Sequence, residues 1–192
     1  MTRKKNITIN EIIALGPKKL ICLIILAAVA YFTGGQLPGI LQEDSSQELS
    51  DITPGVVVRV VDGDTAVIRV AGAEKRVRFL GVDTPETVHP KKGVQPYGKE
   101  ASNFTKESLS GRSVWLEYDQ NPQDRYNRDL AYIWLSKPNA RNDEAVRQYM
   151  FNAKLLEGGY AKVLIIKPNK KYENIFKEIE SEAKKSKRGM WK

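Results

Sequence analysis

The run "RFLGVDTPET", Arg78 to Thr87, sets an arginine among strand-forming hydrophobics and follows it at once with Asp83 and Glu86. A second run, "VDGDT", supplies Asp62 and Asp64. Taken singly, Asp-Gly and Asp-Thr-Pro are ordinary turn chemistry, and an arginine in a strand usually lies on a solvated face. Taken together they suggest a site. Two carboxylates, a backbone carbonyl and water form a hard oxygen donor set suited to Ca²⁺ or Mg²⁺. The chain has one cysteine, Cys22, and one histidine, His89, so it holds no thiolate–imidazole cluster for a softer metal. Arginine offers a planar fork that matches two oxygens of an anion. Such groups, opposite in sign and close in sequence, suit a pocket where an ion and an anionic substrate keep them apart.

Those residues can meet only if the strands around them are neighbours. From Gly55 the hydrophobic period is two. "GVVVRVV" (55–61), "TAVIRV" (65–70) and "RVRFLGV" (76–82) read as three strands. Asp62-Gly63 turns the first pair and "AGAEK" the second, which makes a meander. The start of the second strand and the end of the third then share one rim, and Asp64 can approach Asp83. Residues 83–98 form a long loop with three prolines. A helix fits 99–110, with Ala101, Phe104, Thr105 and Leu109 on one stripe. "SVWLEY" (113–118) and "LAYIWL" (130–135) are two more strands joined by a polar turn. Helical spacing returns in 143–157, where Asn152 could cap a separate shorter helix, and in 171–187, where Ile175, Phe176, Ile179 and Ala183 form the inner stripe. The expected class is α+β: a small five-stranded barrel of the OB type with about three helices. Trp115 and Trp134 are expected in its core, with Trp191 docking the last helix.

Lysine and arginine number 31 against 23 acidic residues, a net charge of +8. The excess is concentrated late: from Lys162 onward ten basic residues face four acidic ones. A basic domain favours polyanions. With Cys22 alone no intramolecular disulfide can form, so the fold must rest on its core.

Residues 20–32, "LICLIILAAVAYF", are continuously apolar and follow Lys18 and Lys19. Thirteen residues fall short of the roughly 20 that span a bilayer, and match a signal-peptide core. Continued through Leu41, the run just spans. The expected organisation is therefore a signal peptide or membrane anchor over 1–41, a polar linker over 42–54 and a barrel domain over 55–192. The lysines place that domain outside the cytoplasm, secreted or anchored.

Beyond single motifs, "VDGDT", "RFLGVDTPET", "HPKKGVQPYGKEAS", "DRYNRDLAYIW", "AKV" before "KPN", and "EAKKSKRGMW" stand in one order along 55–192. This set resembles the thermonuclease (staphylococcal-nuclease-type) family. The resemblance implies a monomeric, Ca²⁺-dependent OB-barrel endonuclease acting on DNA and RNA. It implies that Asp64 and Asp83 bind the ion through carboxylates and Thr84 through its carbonyl. Glu86 would orient or deprotonate the attacking water, Arg78 and Arg128 would hold the scissile phosphate, and Arg125 and Tyr126 would contact a neighbouring one. The alternative is a catalytically weak OB module that binds nucleic acid or other polyanions; such a module has no need of Asp64, Arg78, Asp83, Glu86 and Arg128 together. Two departures from the family stand out. Leu164, Ile165 and Ile166 occupy a place where the family has base-stacking tyrosines, and "SKPNARNDEAVRQY" is longer than usual. His89 reads as a loop residue rather than a base, and Lys91 and Lys92 as attractors of a polyanion or as solvated side chains.

Overall fold

A computed structural model describes residues 52–87 and 95–192. The apolar run 20–32, the greater part of the linker, and His89, Lys91 and Lys92 lie outside the described residues. Among the described residues no helix is long and apolar enough to cross a membrane.

The elements run β1 (Ile52–Asp62), β2 (Thr65–Val70), β3 (Ala73–Phe79), β4 (Gly81–Asp83), α1 (Gly98–Leu109), β5 (Ser113–Gln123), β6 (Asp129–Trp134), α2 (Asp143–Tyr149), α3 (Phe151–Glu157), β7 (Lys162–Leu164) and α4 (Glu173–Lys185). A 3₁₀ turn, Gly189–Trp191, follows. Five strands close into a barrel in the order β1-β2-β3-β6-β5. Closure leaves no open sheet edge and removes a route to aggregation. Every barrel pair is antiparallel except β3 with β6, where Val77 lies opposite Asp129 and Phe79 opposite Ala131. The barrel interior holds Ile68, Val77, Phe79, Leu116 and Ile133, each fully buried. Side chains of this size contribute about 1.5–3 kcal/mol each on burial.

The expected OB barrel is present, with several boundaries redrawn. β1 starts at Ile52, inside the expected linker, because Ile52 pairs with Glu117 of β5. β5 runs on to Gln123, through residues read from sequence as turn, so the turn shrinks to Asp124–Arg128. The third strand begins at Ala73 and breaks after Phe79. Gly81 has φ of +76° and sits so close to the Phe176 ring that a Cβ there would lie 2.4 Å from it. The left-handed turn diverts β4 out of the barrel to pair with β7, a three-residue strand that hydrophobic period alone does not reveal.

The helix expected over 143–157 is two helices, and Asn152 is not the cap that divides them. Met150 breaks the helix in extended conformation (φ −92°, ψ 122°) and bridges to Trp134. Asn142 caps the start of α2, its Oδ1 accepting from the Ala145 amide at 2.9 Å. Asn152 is instead fully buried in α3. Its Oδ1 accepts from the Ile133 amide at 2.8 Å and its Nδ2 donates to the Leu80 carbonyl at 2.7 Å. It therefore ties α3 to β6 and to the break between β3 and β4. Asn152→Ala is expected to destabilise the protein by about 1–3 kcal/mol for each of the two groups left unpaired. Urea unfolding followed by tryptophan fluorescence measures this, and a midpoint equal to the parent's would remove Asn152 from this role.

Around α4 the sequence reading holds: Ile175, Phe176, Ile179 and Ala183 are its buried residues. Trp134 is fully buried as expected, Trp115 is only half-buried, and Trp191 lies beneath Lys184 of α4, 4.5 Å from ring centre to Nζ. The long segment after β6 is anchored from within. Glu117 of β5 has no exposure and accepts from Trp134 Nε1 (2.7 Å) and the Tyr172 hydroxyl (2.9 Å), and it pairs with Lys171 Nζ (2.6 Å) and Arg141 Nε (3.5 Å). One buried carboxylate thus joins β5, β6, the inserted segment and the approach to α4. A charge so placed requires these partners. Burial, reinforced by the Glu117 charge, pushes the Tyr172 hydroxyl pKa far up, so it stays a donor.

Candidate active site

Asp64 lies in the turn between β1 and β2, and the structure shows what holds it there. Thr105 of α1 donates its hydroxyl to the Gly63 carbonyl at 2.6 Å. Thr84 packs against Gly63 so closely that a Cβ there would meet its side chain at 2.7 Å. Glycine is therefore required for close approach. The Asp64 carboxylate accepts from the Thr84 amide (2.9 Å), the Thr84 hydroxyl (3.1 Å) and the Thr65 hydroxyl (3.0 Å). Only 7% of Asp64 is exposed.

Arg78 projects from β3 on the face opposite Val77 and Phe79, away from the barrel interior. Its Nη1 donates to the carbonyls of Phe79 (2.8 Å) and Val82 (2.7 Å), which fold back over it after the strand break. Its Nη2 lies 3.1 Å from Asp83 and 3.2 Å from Asp64. Asp64 and Asp83 therefore converge on one guanidinium nitrogen. The positive and negative groups that the sequence suggested would be held apart are in direct contact. Lys162 of β7 also reaches Asp83, at 3.2 Å.

Glu86 is exposed in the loop after β4, and its backbone is pinned. Its amide donates to Gln95 Oε1 at 3.2 Å and its carbonyl accepts from the Gln95 amide at 3.1 Å. Arg128 ends the turn before β6. Its Nε and Nη2 both reach Asp124 Oδ2, at 2.8 and 2.7 Å, and its amide donates to Asp124 Oδ1. Burial alone would raise the Asp124 pKa. Hydrogen bonds from the Arg128 amide and guanidinium and the Tyr126 amide outweigh it and hold the carboxyl below the usual range. Asp124 thus stays charged and keeps the Arg128 fork aimed.

Asp64, Arg78, Glu86 and Arg128 line one polar cleft of about 230 Å³, with Val61, Asp62, Thr65, Arg76 and Thr87. Asp83 and Thr84 border a neighbouring cleft of about 370 Å³ and join the first through Arg78 and Asp64. Arg125 and Tyr126 sit on the turn outside both. Tyr126 is 65% exposed; Arg125 lies over its ring at 4.9 Å and donates to its hydroxyl at 2.8 Å. Leu164, on β7 opposite Gly81, is 40% exposed. Sequence reasoning missed the supports: Asp124, Thr105, Gln95 and Arg76. Of these only Asp124 carries a local signal, an Asp four residues before an arginine in a turn.

Fold and cleft together define a small OB barrel whose rim gathers carboxylates and guanidiniums for an anionic substrate. The model of the family described as Staphylococcal nuclease homologue matches residues 76–192. The thermonuclease of Staphylococcus intermedius is 48% identical over 136 residues, covering 71% of this chain and 74% of that protein. The thermonuclease of Staphylococcus hyicus is 45% identical over 135 residues, covering 70% and 73%. The SPbeta prophage-derived endonuclease YokF of Bacillus subtilis is 37% identical over 147 residues, covering 76% and 45%. The chain belongs to the staphylococcal nuclease family.

Proposed function

We propose that this protein is a Ca²⁺-dependent endonuclease that hydrolyses phosphodiester bonds of DNA and RNA. The observation that carries the reading is one cleft lined by Asp64, Arg78, Glu86 and Arg128, with Asp83 drawn to the same guanidinium as Asp64. The relatives named above, two thermonucleases and an endonuclease, support the same reaction class.

The donor set fits a hard divalent ion. Asp64 and Asp83 meet at a point that already attracts a positive group, and their oxygens are of the right type. Among the described residues no three acidic, histidine or cysteine side chains gather into a metal cage. The two carboxylates, the Thr84 carbonyl and water would hold the ion, a shell that Ca²⁺ accepts. When bound, it supplies positive charge to a phosphoryl oxygen and lowers the pKa of nearby water.

The chain's own residues do the rest. Arg78 and Arg128 bind the phosphoryl oxygens, whose negative charge grows as the attacking oxygen approaches. Both forks are held in advance, Arg78 by two carbonyls and Arg128 by Asp124, so little reorganisation is needed. Glu86 takes a proton from the attacking water. The P–O bond to the leaving nucleotide breaks, and its alkoxide takes a proton from solvent.

The purified full-length protein is expected to degrade single-stranded DNA with Ca²⁺ and to stop in excess EDTA. Digestion unchanged by EDTA would sink the metal role. We place the domain outside the cytoplasm because of the lysine-flanked apolar run 20–32. N-terminal sequencing of mature protein tests whether that run is removed.

A further inference from the structure

We propose that Arg76 is a third phosphate-binding arginine, holding a backbone phosphate adjacent to the one being cleaved. The proposal rests on the nuclease reading above.

Arg76 lines the same cleft as Asp64, Arg78 and Arg128. It stands two residues before Arg78 on β3, so both arginines share the face turned away from the barrel interior. The parallel register sets Val77 opposite Asp129, so Arg76 on β3 and Arg128 in the turn before β6 each stand one residue before that pair. Three guanidiniums therefore surround one cleft, and their engagements differ. Arg78 is tied to two carbonyls and two carboxylates, and Arg128 to Asp124. The Arg76 side chain makes no hydrogen bond or ion pair with any described residue.

Like charges gathered around one cleft repel one another. An ion pair with Asp124 offsets that cost for Arg128; Arg76 has no ion pair among the described residues. A polyanion would supply one. Depth decides which phosphate Arg76 takes. Arg78 is 6% exposed at the floor of the cleft, whereas Arg76 is exposed at its mouth. A strand whose scissile phosphate sits between Arg78, Arg128 and Glu86 continues outward past Arg76. Its fork fits two oxygens of the next phosphate.

The test compares the full-length protein with Arg76→Ala and Arg76→Lys on two substrates: a long single-stranded oligodeoxynucleotide and a nitrophenyl nucleotide diester with one phosphodiester bond. Arg76→Ala is expected to lower kcat/KM on the oligonucleotide by about 10–100-fold, mainly through KM. That loss should exceed the loss on the single diester at least tenfold. The slope of log KM against log salt should fall by about 0.7, one phosphate contact on a single strand. Arg76→Lys should restore the slope but not the full affinity. Equal losses on both substrates, or an unchanged salt slope, would overturn the proposal. Binding of a labelled oligonucleotide in chelator separates it from the nuclease reading. Arg76-dependent binding without cleavage in Ca²⁺ retains Arg76 and rejects the hydrolase. Cleavage by the parent that Arg76→Ala matches on the oligonucleotide rejects Arg76 alone.

Discussion

Glu86→Gln is expected to slow cleavage of single-stranded DNA by about 10²–10⁴-fold, the range that a positioned proton acceptor contributes. The amide keeps the size and shape of the carboxylate, so the Gln95 contacts that fix the loop are retained. What is lost is basicity. Neither Arg78 nor Arg128 can replace it, because a guanidinium has no proton-accepting site near neutral pH. Binding should be largely intact, since the arginines carry it. The measurement is kcat from product release beside Kd from fluorescence anisotropy in chelator. A fall in affinity as large as the fall in rate would assign Glu86 to holding substrate instead.

Arg78→Lys should lower kcat/KM by about 10²–10³-fold, as expected when one preorganised donor to a developing oxyanion is lost. It should also destabilise the protein, which separates Arg78 from a purely catalytic group. An ammonium is a point charge and cannot satisfy Phe79 and Val82 on one side and Asp64 and Asp83 on the other. Each buried carbonyl left without a donor costs about 1–3 kcal/mol. Arg78→Met should be worse, about 3–5 kcal/mol, because Asp64 then keeps its buried charge without its cation. Urea unfolding in the presence of chelator measures both. A stable Arg78→Met protein would show that Thr84 and Thr65 alone suffice to hold Asp64.

These two residues show what the sequence alone discloses. Arg78 and Glu86 fall in one short run, and their residue types alone suggest an anion site beside carboxylates. The barrel strands and outer helices were legible for the same kind of reason. Alternating β-branched residues, Asp-Gly at the first hairpin and the Ile175–Ala183 stripe are signals carried within a few residues. The boundaries that moved did so under tertiary contacts. Gly81 breaks the third strand in a left-handed conformation, and the Phe176 ring, far along the chain, occupies the space a Cβ there would need. Met150 splits the middle helix because it bridges to Trp134. Asn152 looked like a cap by type, yet burial turned it into a tie between α3 and two strand ends.

Sequence by itself determined the barrel class, the basic character and the identity of the acidic and arginine groups at the rim, because these follow from local periodicity, turn residues and charge. The tertiary structure alone decided which groups share a cleft. Asp64 and Asp83 meet on one nitrogen of Arg78, Asp124 aims Arg128, and the parallel register of β3 and β6 brings Arg128 to the strand that carries Arg76 and Arg78. Register between distant strands is set by how the whole core packs, and no short stretch of chain encodes it.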